Sequence, residues 1–236
     1  MYLRMRALWV LPTTRFRWLA LLALLIGACA APNEWRAEFA VDRNDLASIG
    51  RNPYFILEPG YTLILEGGSE RLVITVLNET IIVDGIETRV VEERETKAGR
   101  LVEISRNYYA IDTRTSDVYY FGEDVDIYAG GQVSSHGGAW LSGVGDARFG
   151  LIMPGTVALE AKHYQEIAPG VAMDRARIIG LSENLVTPAG QFEQVLKVEE
   201  TTPLEPLIIE YKYYALGIGM IRDGPLELVE FGVTGN

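Results

Sequence analysis

Three closely spaced carboxylates, Glu123, Asp124 and Asp126, are the residues of this chain best suited to bind a hard cation such as calcium. A twelve-residue calcium loop counted from Asp124 fails, because its fifth position is Tyr128 and its twelfth is Ser135, where an acid is needed. We therefore predict a solvated turn and no metal site, with the three carboxylates as the candidates for an irregular calcium site.

The sequence contains two histidines, His136 and His163, as candidate neutral-pH bases. Glu166 follows His163 by three residues, which places the two side chains on one face of a helix but on opposite faces of a strand. Because a metal site usually needs three or four such ligands, we predict surface or supporting roles for both histidines.

The chain lacks the sequence patterns of common catalytic nucleophiles. Neither Ser69 nor Ser142 lies in a Gly-x-Ser-x-Gly elbow. Cys29 is the single cysteine, and its predicted lipidation, described below, leaves no thiol for catalysis and no disulfide. We predict no catalytic residue and no cofactor.

Aromatic side chains are the best candidates for a binding surface, because they combine a large apolar area with a polar tip. Tyr119 and Phe121 alternate with Tyr120 along one predicted strand and so lie on the opposite face from it. One face must belong to the core, and we predict that the other binds a ligand. The predicted ligand-binding residues are Tyr108, Tyr120, Tyr128, Trp140, Phe149 and Met153.

These aromatic residues centre on a predicted β-hairpin over residues 108–126. Aromatic and β-branched residues suit a pleated sheet, and the polar segment from Asp112 to Asp117 suits the loop between its strands. Gly122 is predicted to end the second strand, which would place the three carboxylates on an exit loop. Such a hairpin needs further strands to cover it.

The rest of the chain supplies those strands. Turn signals such as Gly67-Gly68 and Asp84-Gly85 recur between short apolar runs, and further turns are expected at residues 78–79 and 183–184. Residues 157–166 are the best helix candidate, with a strand as the alternative. We predict an all-β, mainly antiparallel fold, in which a single curved meander sheet forms a half-barrel, a barrel or a sandwich with few short helices.

A glycine-rich segment, residues 129–155, separates two meanders. It contains Trp140, Phe149 and Met153, so we predict a packed loop rather than a disordered linker. Two interpretations stay open, a structural crossing at one end of the sheet and a lid over a binding site.

Residues 1–28 have the features of a lipoprotein signal peptide. Four arginines precede an apolar run over residues 18–26 that is too short to span a bilayer. The sequence Ile26-Gly27-Ala28-Cys29 resembles the lipobox of bacterial lipoproteins, in which the cysteine is lipidated; the alternative is an ordinary export signal. By resemblance to enterobacterial lipoproteins, Ala30 favours the outer membrane, and in a bacterium with one membrane the anchor would lie on the outer face of the cell membrane.

The mature chain is predicted to be strongly acidic. Residues 29–52 are interpreted as the lipidated N-terminus and a tether, and residues 53–236 as a single β-rich domain. Removing the signal peptide takes four arginines from 21 basic residues, which leaves 17 against 32 acidic residues and a formal charge of −15. Such a chain repels phosphate backbones, so we predict no nucleic-acid partner.

Five stretches resemble an uncharacterised family of bacterial exported proteins and lipoproteins: Tyr119-Tyr-Phe-Gly-Glu-Asp124, Met153-Pro-Gly155, Thr202-Pro-Leu-Glu-Pro206, Glu210-Tyr-Lys-Tyr-Tyr-Ala215 and Gly217-Ile-Gly219-Met-Ile221. The resemblance covers most of residues 53–231 and implies no activity. The closing strand Tyr213-Tyr-Ala-Leu-Gly-Ile-Gly219 is also similar to strands of periplasmic lipoprotein carriers, which are β half-barrels around apolar contents. This second likeness concerns the fold alone.

We predict a membrane-anchored lipoprotein of the bacterial cell envelope with a non-enzymatic role, binding an apolar or aromatic-stacking ligand or an envelope partner. Its expected partners are the membrane, through the lipid, and that ligand or protein. The alternative is a hydrolase of cell-envelope or extracellular polymers that uses carboxylates such as Glu123 and Asp124 with His136 or His163 nearby. The positions of these four side chains relative to the interior cavities discriminate between the two.

Overall fold

A computed structural model describes residues 34–233. The predicted signal peptide and Cys29 lie outside the described residues. The structure is 66% strand and 2% helix, which confirms the predicted all-β fold with few short helices. Within residues 34–233, no helix is long and apolar enough to cross a bilayer.

A 3₁₀ turn spans Arg43–Asp45, and the strands are short in the N-terminal part and long in the two meanders. In chain order they are β1 (Leu46–Ala47), β2 (Gly50–Asn52), β3 (Phe55–Leu57), β4 (Tyr61–Gly67), β5 (Glu70–Val83), β6 (Ile86–Lys97), β7 (Arg100–Asp112), β8 (Val118–Ala129), β9 (Gln132–Ser135), β10 (Trp140–Leu141), β11 (Arg148–Met153), β12 (Lys162–Tyr164), β13 (Glu166–Ile167), β14 (Arg175–Thr187), β15 (Gly190–Thr201), β16 (Ile209–Ala215), β17 (Gly219–Asp223) and β18 (Leu226–Val233).

One large antiparallel sheet, nearly closed into a barrel, organises these strands. Its order is β12-β14-β15-β16-β17-β18-β4-β5-β6-β7-β8-β11-β13. The two meanders join where β18 pairs with β4, which sets Leu228 opposite Leu65. On the other side, β12 pairs with β14 and β13 pairs with β11, so residues 162–167 bridge the two remaining edges. The segment predicted as a helix or a strand therefore contributes strands, and these strands bring the sheet close to a closed barrel.

The predicted hairpin is formed by β7 and β8. Asp112 accepts hydrogen bonds through Oδ1 from the backbone N–H groups of Arg114 and Thr115, at 2.8 and 2.9 Å. An aspartate commonly stabilises a turn in this way, because its short side chain reaches the backbone two residues further on.

The prediction that Gly122 ends the second strand was wrong, because β8 continues to Ala129. Glu123, Asp124 and Asp126 consequently lie on a strand and not on an exit loop. The pairing register shifts next to Gly122, whose φ is +144°. This glycine thus forms a β-bulge within the strand.

The turns predicted at residues 78–79 and 183–184 are also bulges and not reversals. Both positions lie inside long strands, β5 and β14, where the pairing register shifts. A bulge adds residues to one strand and bends it, so polar residues such as Asn78 and Glu183 occur there without a change of direction. The bends allow the long strands to curve around the barrel.

The hydrophobic core has two parts, one inside the barrel and one outside it. The inner part includes Leu65, Val76, Tyr109, Tyr120 and Leu228. The outer part covers the other face of the hairpin and consists of buried residues with partly buried neighbours. It includes Tyr108, Tyr119, Phe121, Leu151, Phe39, Val41 and Phe149. Both faces of the hairpin are therefore covered, in contrast to the expectation that one of them is a free ligand surface.

Residues 34–52, predicted as a tether, make extensive contacts with the barrel. Trp35 lies under the guanidinium of Arg175, at 4.5 Å from Cζ to the ring centroid. Strand β1 pairs with β7, and Asn52 is 1% exposed and donates to the carbonyl oxygens of Ser116 and Pro154. The packed structure thus begins before residue 53.

The glycine-rich segment contains β9, β10 and β11. Trp140 and Met153 are buried in the inner core, and Phe149 packs against the outer one. The segment therefore runs along β8, with which all three strands pair, and contributes to both parts of the core.

Candidate functional site

The interior of the barrel changes from apolar to charged along its strands. Alternate residues of a strand share a face, so Val91 is followed on the inner face of β6 by Glu93, and Val198 is followed on β15 by Glu200. The charged side chains that interact with one another across the interior are Glu93, Glu123, Glu166, Asp174, Glu200, Lys212 and Asp223.

Lys212 lies among carboxylates on the inner face of β16. Its Nζ is 2.8 Å from Glu200 Oε2 and 3.9 Å from Asp223 Oδ2. Burial disfavours the ammonium form, but the Glu200 and Asp223 carboxylates outweigh it and raise the pKa of Lys212 well above its usual range. Glu200 Oε1 accepts a second hydrogen bond from Gln165 Nε2, at 2.7 Å. Lys212 is therefore charged, and its ammonium group forms ion pairs with Glu200 and Asp223.

The remaining interior carboxylates have raised pKa values. Burial raises the pKa of Glu93 to about 7, against the opposing effect of Lys212. Burial also raises the pKa of Glu123 to about 7, against the opposing effect of the nearby Tyr120 hydroxyl. Near neutral pH each carboxyl is therefore partly protonated, and any added positive charge would favour its ionised form.

Glu123, Glu166 and Asp174 form a group that we call the acidic trio. Burial and then the Asp174 and Glu123 carboxylates raise the pKa of Glu166 well above its usual range. Within residues 34–233 none of the three forms an ion pair, since Lys212 contacts Glu200 and Asp223 instead. The trio is thus a set of carboxylates without a matching cation in the described part of the chain.

Glu166 is the most deeply buried member of the trio, with 6% of its surface exposed. Its Oε2 atom lacks a hydrogen-bond partner, as does the buried indole N–H of Trp140. The indole is close enough to favour the charged form of the carboxylate but is not aligned for a hydrogen bond. A buried carboxylate oxygen without a partner is costly, which adds to the preference of Glu166 for its protonated form.

A cavity of about 100 Å³ lies between the apolar and charged parts of the interior. Its apolar walls include Leu63, Ile74 and Val91, and its charged end is formed by Glu93, Glu200 and Lys212. Residues 54–56 also line it. Glu200 also borders a cleft of about 160 Å³ that includes Asp174 and Glu205, so the cavity and the cleft meet at one side chain.

The six predicted ligand-binding residues do not converge on this cavity. Tyr120 and Trp140 contact each other inside the barrel, with ring centroids 5.4 Å apart, and Met153 is buried in the same core. Tyr108 and Phe149 belong to the outer core. Tyr128 borders a separate surface cleft beside Arg100. None of the six lines the 100 Å³ cavity, whose aromatic walls are Tyr54, Phe55, Tyr109 and Tyr214.

The candidate acids and histidines divide between the inside and the outside of the barrel. Glu123 faces the interior, whereas Asp124 accepts a hydrogen bond from the Tyr108 hydroxyl in the outer part. His136 is exposed, with Nδ1 3.0 Å from Asp126 Oδ1. Within residues 34–233, no group of three or more such side chains has the spacing to hold a metal ion.

His163 is buried and lies apart from the other histidine. It is 4% exposed, and its Nε2 lacks a hydrogen-bond partner. Burial and the nearby Arg36 lower the pKa of His163 to about 4, so the ring is neutral at physiological pH. It is therefore poorly placed to exchange protons with solvent.

The sequence analysis missed the interior charges, above all Glu93, Glu200 and Lys212. Glutamates that alternate with valine along a strand normally mark a solvated face, and the alternation gave no reason to place them inside. One signal was available in the sequence. Val91 and Glu93 are two residues apart and so share one face of their strand, as do Val198 and Glu200. A strand whose single face is apolar at one end and acidic at the other is typical of a barrel with a polar interior end.

No family model, curated protein or solved structure matches this chain. Function is therefore inferred from the interior residues themselves.

Proposed function

We propose that this protein is a lipid-anchored, non-enzymatic binding protein of the bacterial cell envelope, and that the ligand lies in the barrel interior. The observation that carries the proposal is the cavity between the apolar and the charged parts of the interior. A concave, largely apolar site with a few convergent polar groups is the usual form of a small-molecule site. The lipobox-like sequence that ends at Cys29 supports the anchor.

The cavity volume limits the ligand. Its size of about 100 Å³ is smaller than the roughly 150 Å³ of an engineered protein cavity that binds benzene. The buried part of the ligand is therefore a short aliphatic or small ring group, and any larger part extends into the cleft at Glu200. Tyr109 and Tyr214 supply aromatic contacts for such a group.

The test compares two phenylalanine substitutions on one strand. Ile74 lines the cavity, whereas Ile82 is 67% exposed on the same strand. Saturation-transfer NMR of the soluble chain from residue 30 onward, with butanol and benzene as probes, should detect binding to the wild-type protein and to Ile82→Phe. Ile74→Phe should lose it, because the larger side chain fills the cavity.

Circular dichroism establishes which variants are folded, and Val91→Ile, which adds one methylene at the same cavity, provides a milder change. Undiminished binding by folded Ile74→Phe would mean that the cavity is not the site. Absence of binding by the wild-type protein would contradict the proposal directly.

A second candidate is a hydrolase of envelope or extracellular polymers, and the raised pKa of Glu123 favours it. A carboxyl with a pKa of about 7 can serve as a general acid at neutral pH. This candidate predicts release of soluble fragments from isolated cell-envelope polymers, and loss of that release in Glu123→Gln. If incubation with the wild-type protein releases no soluble fragments, the hydrolase candidate is excluded for those polymers.

A further inference from the structure

We infer that the loop over residues 202–208, between β15 and β16, inserts into the surface of the membrane that carries the lipid anchor. We call this segment the apolar loop. The inference goes beyond the proposed function and rests on one part of it, the lipidation of Cys29. Its starting point is a run of three exposed aliphatic side chains at the end of the loop, Leu207, Ile208 and Ile209.

The exposure of this run is unusual for a folded chain. Leu207 is 95% exposed, and among the large hydrophobic residues exposed within residues 34–233 only these three are consecutive. Single exposed leucines are common on protein surfaces, whereas a run of exposed apolar residues indicates a contact surface. Leu204, 45% exposed, adds a fourth aliphatic side chain to the same loop.

The apolar loop is held in this exposed conformation by its own backbone. Pro203 and Pro206 each fix one φ angle. The Ile208 N–H donates to the Glu205 carbonyl oxygen at 3.0 Å, which closes a turn within the loop. A loop that is already ordered loses little conformational freedom when its side chains enter another phase.

The chain enters the barrel near the same end of the sheet. Arg36 pairs with His163 on β12, and His163 lies opposite Ala176, the second residue of β14. Strand β14 begins one residue earlier, opposite Thr201 at the end of β15, from which the apolar loop continues. The segment that follows the predicted anchor and the apolar loop therefore lie at one end of the barrel.

The length of chain between Cys29 and the barrel restricts the orientation. Seven residues, 29–35, precede Arg36, so its Cα lies at most about 25 Å from that of Cys29. The opposite end of β14, at Thr187, is eleven residues beyond Ala176, which is roughly 35 Å along the strand. A barrel with that end on the bilayer would keep Arg36 out of reach of the lipid. Among the orientations that remain within reach, the one with the apolar loop toward the bilayer removes the exposed run from water.

Insertion of the apolar loop depends on the anchor. A few aliphatic side chains bind a bilayer surface only weakly by themselves, but the lipid holds them close to it and makes their insertion an intramolecular step. A chain without the lipid is therefore expected to stay soluble. The cleft of about 160 Å³ that meets the cavity at Glu200 also includes Ile208, so insertion would place this entrance to the interior beside the bilayer.

Site-specific fluorescence of the lipidated protein in phosphatidylcholine vesicles tests the inference. Lipidation consumes the thiol of Cys29, so Leu207→Cys provides a single thiol for a nitrobenzoxadiazole label. Leu216→Cys is the matched control, because Leu216 is 58% exposed and follows the opposite end of β16. For the label at residue 207 we expect a blue shift of the emission and quenching by lipids that carry a nitroxide near the glycerol end of the acyl chain. The label at residue 216 should show neither effect.

A second variant separates insertion of the loop from partitioning of the label. Leu204→Ser and Ile208→Ser, added to the labelled Leu207→Cys chain, remove exposed apolar groups without changing the core and should reduce the blue shift. An undiminished shift would overturn the inference, because the fluorophore alone would then account for it.

A water-like emission at residue 207, or equal shifts at residues 207 and 216, would also overturn the inference while the anchor and the cavity proposal stand. A shift that requires added membrane proteins would assign the apolar loop to a protein partner, which likewise contradicts it. Two reactive thiols in unlabelled Leu207→Cys would show that Cys29 is not lipidated, and would contradict the anchor and the inference together.

Discussion

Glu93 and Glu123 face the interior of the barrel from β6 and β8, and burial raises the pKa of each to about 7. A glutamate in an unfolded chain has a pKa of about 4.3. Between these two values the folded protein holds protons that the unfolded chain has already lost. Protonation therefore favours the folded state, and its contribution is lost as the pH rises through 7.

We predict that the free energy of unfolding decreases between about pH 5 and pH 8, by on the order of 1 kcal/mol for each of the two glutamates after allowance for their contact with solvent. Urea unfolding at several pH values measures this. Glu93→Gln and Glu123→Gln should each flatten the curve, because glutamine does not titrate, whereas Glu230→Gln on the surface should leave it unchanged. A wild-type curve that rises over this interval would contradict the assignment.

The residue types could be predicted to a useful extent, but their surroundings could not. The aromatic residues near the hairpin were expected to be large buried or binding groups, and Tyr120 and Trp140 do contact each other. The partners that cover Tyr119 include Phe39, about 80 residues earlier in the chain, with ring centroids 6.0 Å apart. Local patterns carry no information about such pairings, so a covered face was interpreted as a free one.

Among the elements, the bulge at Gly122 decides where β8 directs its side chains. The bulge shifts the alternation of side chains along β8, so that Glu123 faces the interior and Asp124 faces outward. A glycine between aromatic and acidic residues predicts either a strand end or a bulge, and only the tertiary pairing with β7 and β10 selects the bulge. The same ambiguity applies to residues 78–79 and 183–184.

We predict that Gly122→Ala destabilises the protein by about 2 kcal/mol more than Gly130→Ala. Both glycines have a positive φ, of +144° and +62°, so both substitutions strain the backbone. At Gly122 an added Cβ would also lie 2.4 Å from the Trp140 carbonyl oxygen, whereas at Gly130 nothing lies within 4 Å. Thermal unfolding of the two variants measures the difference. Equal midpoints would mean that β10 can move away from β8 at little cost.

For the whole molecule, the predicted export and anchoring determine where the barrel acts. Radiolabelled palmitate incorporation in a bacterial host tests the anchor. We expect label in the wild-type chain and none in Cys29→Ser, because no other cysteine is present to accept a lipid. The variant should be recovered in the soluble fraction. Equal labelling of both chains, or of neither, would exclude lipidation at this residue.

At the same scale, the all-β class and the antiparallel meanders followed from turn residues and strand-forming runs, which act locally. Closure into a barrel did not follow from them. It depends on β18 meeting β4 and on residues 162–167 bridging β11 and β14, and these pairings join segments far apart in sequence.

The pairing of β18 with β4 also has a consequence for the order of folding. Strand β4 is synthesised, and on export would cross the membrane, some 160 residues before its neighbour β18. Until β18 arrives, the backbone N–H and C=O groups along that edge of β4 have no partner. An exposed edge of this length invites pairing with other chains, and contacts so distant in sequence form slowly. We therefore expect newly exported chains to depend on a periplasmic or extracytoplasmic chaperone during this interval, and truncation before residue 226 to cause aggregation and not merely loss of a strand.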